Sequence, residues 1–342
     1  MHKPLPSIWM HAAFLSALLL MQGAVHAQTR SAAEHLELAR KLLAVDVDSA
    51  LLHAEEAERH LGELATSNER VRALITLGDA QEGVRDLPAA LDAYQRAQTL
   101  VDEALEKEGA SPELTLSQAD VRMNIGLLHF NLRNAEKSIA CYTEALRILD
   151  QAHDLDTTEL ARRKVRLFNN LASVYVQRAD FATALPYFEQ AALMNRPLNE
   201  PRNESSLNNN IGICLMEMGE HVRANEYFLK SLAVRKQMGD QRGQAQVLNN
   251  LGKNQVFFGR FEAARDHFEQ ALAIGRAIKS RESMVISLES LSLIHDTLRN
   301  YEAALDAHRE FKALNDSLYN ADTRLTIARL EEEFRRDKER AM

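Results

Sequence analysis

The sequence is poor in the residue types that support several common classes of protein. Only two of its 342 residues are cysteines, Cys141 and Cys214, so it has neither a disulfide framework nor a cysteine spacing typical of a metal site. We expect both to be small buried side chains. Lys and Arg (41) are outnumbered by Asp and Glu (49), which argues against a nucleic-acid partner, because nucleic acids are bound by clustered basic residues.

Motifs with known chemistry are also missing. His53 and His60 are seven residues apart, but no H-E-x-x-H occurs, and a solvated surface is favoured over a metal site there. The Gly252-Lys253 pair lacks the preceding glycine of a phosphate-binding loop. No nucleophile–base pair can be argued from the sequence. We therefore predict a protein that is not an enzyme and that holds no metal or cofactor.

Long apolar runs are confined to the N terminus. Residues 1–27 combine a cationic start at Lys3, an apolar run over 12–21, and small residues at Val25 and Ala27. This pattern is typical of a secretory signal peptide cleaved after Ala27, and the run is shorter than the ~20 residues of a membrane span. We expect an exported protein, periplasmic or secreted. Membrane attachment would require that this segment stays uncleaved or that a span follows the chain.

One pattern is repeated along the rest of the chain. The stretch L-N-N-L-G at 248–252 recurs as F-N-N-L-A at 168–172, as N-N-N-I-G at 208–212 and as M-N-I-G at 123–126. The small residue that ends it recurs at steps of 48, 46, 40, 40 and 40, with a second small residue 12 positions on and a ring after four more. The opening small residues are Gly78, Gly126, Ala172, Gly212, Gly252 and Ser292, and the rings are Tyr94, Tyr142, Phe188, Phe228, Phe268 and His308.

Small residues at fixed positions let the two helices of a hairpin approach closely, and we expect the ring to fill the gap between successive hairpins. The spacing resembles the tetratricopeptide repeat family, with its L-G-x-x-Y…A-x-x-x-F…A pattern, most clearly over 171–192 and 251–272. The period of 40 is longer than the family's usual 34 and is similar to the extended repeats of kinesin light chains. The two longer steps contain 107–114 and 153–160, each with a capping residue before a new helix.

This resemblance implies an all-α, right-handed superhelical solenoid of about seven helical hairpins, followed by a C-terminal helix. We expect a repeat domain over 28–312 and a charged helix over 313–342. The predicted units lie near 31–64, 71–104, 119–152, 165–198, 205–238, 245–278 and 285–312.

One asparagine of each motif is expected to look into the concave groove of the solenoid. If the small residue that ends the motif is position 8 of its unit, positions 2, 6, 9 and 13 share the helix face opposite the packed one, at about 100° per residue. Position 6 is Asn124, Asn170, Asn210 and Asn250. In peptide-binding tetratricopeptide domains an asparagine at the corresponding place commonly holds the ligand backbone or a terminal carboxylate, and the resemblance implies that role here. The alternative is that these amides bond only to neighbouring helices.

Two cations share the expected groove face. Arg166 and Lys253 are candidates for holding an acidic ligand, although Asp79, Asp120 and Glu217 lie on the same face. The asparagines at position 6 are expected to form a ladder along the groove. Those that directly precede three of them are expected at the edge of the groove, in a structural role; they are Asn169, Asn209 and Asn249.

The charged C-terminal segment leaves two interpretations open. Its stripe of apolar residues is typical of a helix that caps the last repeat, and it would also suit a homodimer. The phrase A-R-L-E-E-E-F-R-R-D-K-E-R at 328–340 resembles the linker of periplasmic tetratricopeptide sensor proteins, of diguanylate cyclase or histidine kinase type. The sequence thus predicts an exported module that binds a peptide or protein segment in its groove. The alternative is a sensory input region whose membrane span and output domain are not part of this chain.

Overall fold

The computed structural model describes residues 31–61, 65–152 and 156–316, where all regular elements are helices. The chain divides into two compact units, Met1–Asp154 (unit 1) and Leu155–Met342 (unit 2). Unit 1 contains α1 (Ala32–Leu42), α2 (Val47–His60), α3 (Ser67–Gly83), α4 (Leu87–Glu108), α5 (Pro112–Asn131) and α6 (Ala135–Asp150). Unit 2 contains α7 (Thr157–Gln177), α8 (Phe181–Leu198), α9 (Pro201–Glu217), α10 (His221–Gln237), α11 (Gln241–Phe257), α12 (Phe261–Ala277), α13 (Arg281–Thr297) and α14, helical over 301–316.

Successive helices pair into hairpins, from α1/α2 to α11/α12, and α14 packs against α13 through Phe311 and Leu314. The predicted all-α repeat fold of helical hairpins is confirmed. The predicted signal peptide, and the C-terminal segment from residue 317 onward, lie outside the described residues.

The repeated glycine and ring pack against each other within one hairpin. A β-carbon added to Gly212 would lie 2.6 Å from Cε1 of Phe228. One added to Gly252 would lie 2.5 Å from Cε1 of Phe268. The prediction placed the ring between successive hairpins, and Phe268 shares a core cluster with Leu288 and Leu291 of the next hairpin. The structure adds that glycine lets the ring lie directly across the first helix of its own hairpin. The same pairing joins Gly78 to Tyr94 and Gly126 to Tyr142.

A residue in the left-handed conformation ends the first helix of six of the hairpins. Gly219 (φ 83°) and Gly259 (φ 68°) adopt it without a steric penalty. In the other hairpins the same place is held by residues with a β-carbon, namely Arg85, Arg133, Ala179 and Arg299. The N–H that follows returns to a carbonyl five residues earlier, as from Asp180 to Tyr175 at 2.9 Å, which is the Schellman pattern of helix ends.

The first helices of the hairpins form an inner layer within each unit. Helices α1, α3 and α5 contact one another in succession in unit 1, and α9, α11 and α13 do so in unit 2. In unit 2 each first helix leaves repeat positions 2, 6, 9 and 13 partly or fully exposed. We call this surface the groove face of unit 2.

Candidate functional site

The groove face of unit 2 carries an amide on each of three successive first helices. Asn170 lies on α7, Asn210 on α9 and Asn250 on α11, and all three side chains are partly exposed. They occupy the same repeat position, so residues 40 apart in sequence come to lie side by side.

A chain of hydrogen bonds links these amides through the asparagines that precede them. Asn250 Nδ2 donates to Asn209 Oδ1 at 2.9 Å, and Asn209 Nδ2 donates to Asn210 Oδ1 at 3.4 Å. Asn210 Nδ2 in turn donates to Asn169 Oδ1 at 3.1 Å, and Asn169 Nδ2 reaches Asn170 Oδ1 at 3.5 Å. The two bonds between helices, donated by Asn250 and Asn210, both run in the direction of α7, whereas the other two lie within α9 and within α7. Asn210 and Asn250 therefore share one orientation.

The chain uses only part of the capacity of each exposed amide. A primary amide offers two N–H donors and two acceptor lone pairs. Asn210 uses one of each within the protein, so one donor and one acceptor position remain for the groove. The exposed amides can therefore bond to a peptide backbone without breaking the chain.

Two of the preceding asparagines, Asn209 and Asn249, do not lie at the groove edge, as predicted, but in the packed interior. Asn209 is 1% exposed and Asn249 is 3% exposed, and Asn169 is partly buried. The predicted position is therefore wrong for Asn209 and Asn249, because the next first helix packs over each of them. Asn249 Oδ1 accepts from Ser287 Oγ of α13 at 2.9 Å, which extends the polar contacts to the last first helix.

Arg166 and Lys253 are both exposed on the groove face of unit 2, as their repeat positions predict. Neither forms an ion pair with another residue among those the structure describes. Glu217 is exposed on the same face, on α9 between them. The polar part of the groove face therefore has mixed charge.

The α13 side of this face is apolar, which the sequence reasoning did not find. Phe257 is 70% exposed, Leu293 is 66% exposed and Ile286 is 42% exposed. They occupy positions 13, 9 and 2 of their repeats. The same count that located the asparagines would have located these three residues.

Asn124 differs from the other predicted ladder residues because it belongs to the polar core of unit 1. It is 8% exposed, and its Nδ2 donates to Asp79 Oδ1 at 2.9 Å. The same oxygen accepts from Tyr94 Oη at 2.7 Å. Its amide is therefore committed within the protein, and we leave Asn124 out of the candidate site.

The titratable groups around Asn124 are shifted by burial. Burial, together with the nearby carboxylates of Asp79 and Glu82, raises the pKa of the Tyr94 hydroxyl. Burial also raises the pKa of Glu82, although hydrogen bonds from Asn131 and Tyr94 oppose it. These shifts accompany a buried hydrogen-bond network rather than an open cleft.

Three histidines cluster in the first hairpin of unit 1. His35 Nδ1 lies 3.0 Å from His53 Nδ1, and the His35 ring stacks on that of His60 at 5.8 Å between centroids. Among the described residues, no group of three or more His, Cys, Asp or Glu is arranged to hold a metal ion.

Within residues 31–316, apart from the short gaps at 62–64 and 153–155, no helix is long and apolar enough to cross a membrane.

Comparison with known proteins agrees with the repeat geometry. Tetratricopeptide repeat models match residues 119–148, 167–201 and 203–277. The apo form of RapI is similar at 18% identity over 84% of this chain and 77% of its own, with a TM-score of 0.64. Aspartyl phosphate phosphatase F from Bacillus subtilis is similar at 14% identity, covering 88% of this chain and 75% of its own, with a TM-score of 0.60. No curated protein matches the sequence.

A third structure matches only in part. A signal transduction ATPase with a tetratricopeptide repeat sensor from Pyrococcus horikoshii is 11% identical, with a TM-score of 0.65. The match covers 84% of this chain and 43% of that protein. At these identities the likeness concerns the fold alone.

The hairpin packing and the repeated groove face define an α-helical repeat protein with a protein-interaction fold. The matched models identify tetratricopeptide repeats over 119–148, 167–201 and 203–277, and the structural neighbours share the fold.

Proposed function

We propose that the chain is an exported interaction module that binds an extended segment of a partner protein along the groove face of unit 2. The observation that carries the proposal is the row of partly exposed amides at Asn170, Asn210 and Asn250. Each belongs to the chain of hydrogen bonds between amides, which fixes its orientation and leaves bonding positions open. An amide fixed before binding loses little freedom when a ligand arrives, which lowers the entropic cost of binding.

The spacing of the row suits an extended backbone. Packed helices lie about 8–10 Å apart, and an extended chain rises about 3.3 Å per residue. One amide therefore meets about every third residue of the ligand. Arg166 and Lys253 lie within the same face and would hold acidic side chains, whereas Phe257 and Leu293 would take an apolar one.

A peptide selection on the full chain tests the proposal. Randomised peptides of about 12 residues span about 40 Å when extended, enough to cross all four first helices of unit 2. The best binder then serves as the probe for Asn170→Ala/Asn210→Ala/Asn250→Ala, measured by calorimetry. The matched control is Gln190→Ala/Lys230→Ala/Gln270→Ala, which removes exposed polar groups from one equivalent position of α8, α10 and α12.

We expect the asparagine variant to lose about 3 kcal/mol of binding free energy, or about 100-fold in affinity, at about 1 kcal/mol per hydrogen bond. The control variant should bind as the wild type does. Equal affinity in both variants would refute groove binding through the amide row. A loss of affinity in the control alone would place the binding site on the second helices.

Export is the second part of the proposal and rests on the sequence of residues 1–27. N-terminal sequencing of the protein from the producing cell should begin at Gln28, and an intact N terminus would contradict it. The absence of a nucleic-acid partner and of catalytic activity remain predictions from composition and motifs. The sensory alternative depends on residues 318–342, which lie outside the described residues, and it too remains a prediction.

A further inference from the structure

We infer that Asn169 and Asn209 are positioning residues, which hold the exposed amides of Asn210 and Asn250 in the orientation that a ligand meets. The inference rests on the proposed function and deepens it. It concerns the asparagines that precede Asn170 and Asn210, to which the sequence assigned only a structural role.

The contacts of Asn209 support this role. Its side chain is 1% exposed, so it does not meet a ligand directly. Its Oδ1 accepts from Asn250 Nδ2 at 2.9 Å, and its Nδ2 donates to Asn210 Oδ1 at 3.4 Å. One buried amide thus fixes two exposed amides on two different helices.

The bonding pattern also fixes which end of each exposed amide points along the stack. If Asn210 turned its amide over, its oxygen would face Asn169 Oδ1 and its nitrogen would face Asn209 Nδ2. Two acceptors and two donors would then oppose each other, and the buried Asn209 Nδ2 would lose its partner. As long as Asn169 and Asn209 keep their orientation, Asn210 presents its remaining donor and acceptor in one order, and Asn209 Oδ1 turns the Asn250 amide the same way.

When the exposed amides of Asn210 and Asn250 point the same way, the groove face distinguishes the two directions in which an extended ligand could lie. The backbone of a ligand also presents its N–H and C=O groups in a fixed order. We therefore expect unit 2 to bind its partner segment in a single direction. Loss of the Asn169 and Asn209 amides would let the exposed amides turn independently of one another. The affinity for the ligand and the preference for one ligand direction would then fall together.

Asn249 supplies a matched control within the same chain. It occupies the same repeat position as Asn209 and is similarly buried, at 3% exposed against 1%. Its recorded side-chain hydrogen bond comes from Ser287 Oγ at 2.9 Å rather than from a groove-facing amide. Asn209→Ala and Asn249→Ala therefore each remove a buried amide from the same repeat position. Only the first of these amides is bonded to groove-facing asparagines.

The experiment compares these two variants in the full chain, with the library-selected peptide as the probe. We expect Asn209→Ala to lower its affinity about tenfold, as the loss of one good hydrogen bond would, and Asn249→Ala to change it less than twofold. Without peptide, the ¹H–¹⁵N side-chain signals of Asn210 should shift in Asn209→Ala and stay in place in Asn249→Ala. Asn169→Ala is the second variant if Asn209→Ala does not fold, because Asn169 is only partly buried.

Equal affinities for Asn209→Ala and Asn249→Ala, with unchanged Asn210 signals, would overturn the inference while the groove proposal stood. If removal of all three exposed asparagines leaves affinity unchanged, the groove proposal fails instead. The Asn210 signals still test the positioning role in that case, because they are recorded without a ligand.

Discussion

Replacement of Gly252 by alanine tests the packing that defines each repeat. The new β-carbon would lie 2.5 Å from Cε1 of Phe268, whereas carbon atoms in contact prefer about 3.5–4.0 Å. The ring or the helix must therefore move by about 1 Å. Phe268 is 1% exposed, so its neighbours must move as well.

The magnitude follows from two opposing effects. Overpacking a buried site costs about 1–3 kcal/mol, and a full ångström of displacement belongs in the upper half of that range. Alanine is a better helix former than glycine by about 1 kcal/mol. We expect Gly252→Ala to lower the free energy of unfolding by about 1–2 kcal/mol. In α7/α8 an alanine, Ala172, holds the equivalent position and belongs to the same core cluster as Phe188. We therefore expect the destabilisation only in hairpins whose helix spacing is set by glycine.

Urea unfolding of the full chain, followed by circular dichroism, measures the change. Hydrogen exchange of the α11 and α12 amides localises it, since repeat arrays need not unfold in one step. In a Phe268→Leu background the shorter side chain removes the clash, and the same substitution should gain up to about 1 kcal/mol. If Gly252→Ala stabilises the wild-type chain by that amount, helix propensity alone decides the outcome and the packing argument is refuted.

Two further predictions concern charge and backbone strain. Glu82→Gln should stabilise the protein at neutral pH. Burial raises the folded-state pKa of Glu82 above its usual 4.5, so the folded protein favours the protonated carboxyl. The stability that Glu82 contributes is therefore lost as pH rises through the raised pKa, and glutamine has no proton to lose. Urea unfolding between pH 4.5 and 7.5 should show a flatter profile for the variant, and an unchanged slope would contradict this reading. Ala179→Gly should gain about 0.5–1 kcal/mol, because Ala179 has a φ of 57° and glycine avoids the left-handed penalty. The reverse change, Gly219→Ala, should lose a similar amount in thermal unfolding, and a gain there would show that strain does not govern these turns.

Much of the fold follows from local rules that act within one hairpin. The spacing of small residue and ring predicts the hairpins, because a small residue leaves room for a bulky ring to lie across the helix. The capping residues Ser111 and Asp156 mark the starts of α5 and α7, and each side chain accepts the expected backbone N–H. The contact of the ring with the glycine of its own hairpin was not predicted, since spacing alone does not say which helices a side chain meets.

The candidate site was predicted only in part, because it depends on how closely neighbouring helices approach. A helical wheel places repeat position 6 in the groove and position 5 about 100° away, at its edge. Asn209 is nevertheless buried, because α11 packs over it and Asn250 donates to it. The wheel contains no information on the neighbouring helix, so it assigned position 5 to the rim.

The pairing of two asparagines explains why one amide in each motif is available to the groove. In α9 the buried Asn209 supports Asn210, and the motif carries both. In α5 the residue before Asn124 is Met123, which is buried but offers no amide. Asn124 instead donates to a carboxylate, that of Asp79, and becomes part of the core. A single asparagine at this place thus serves the fold. The doubled asparagine lets one side chain hold the stack together while the other keeps bonding capacity for a partner.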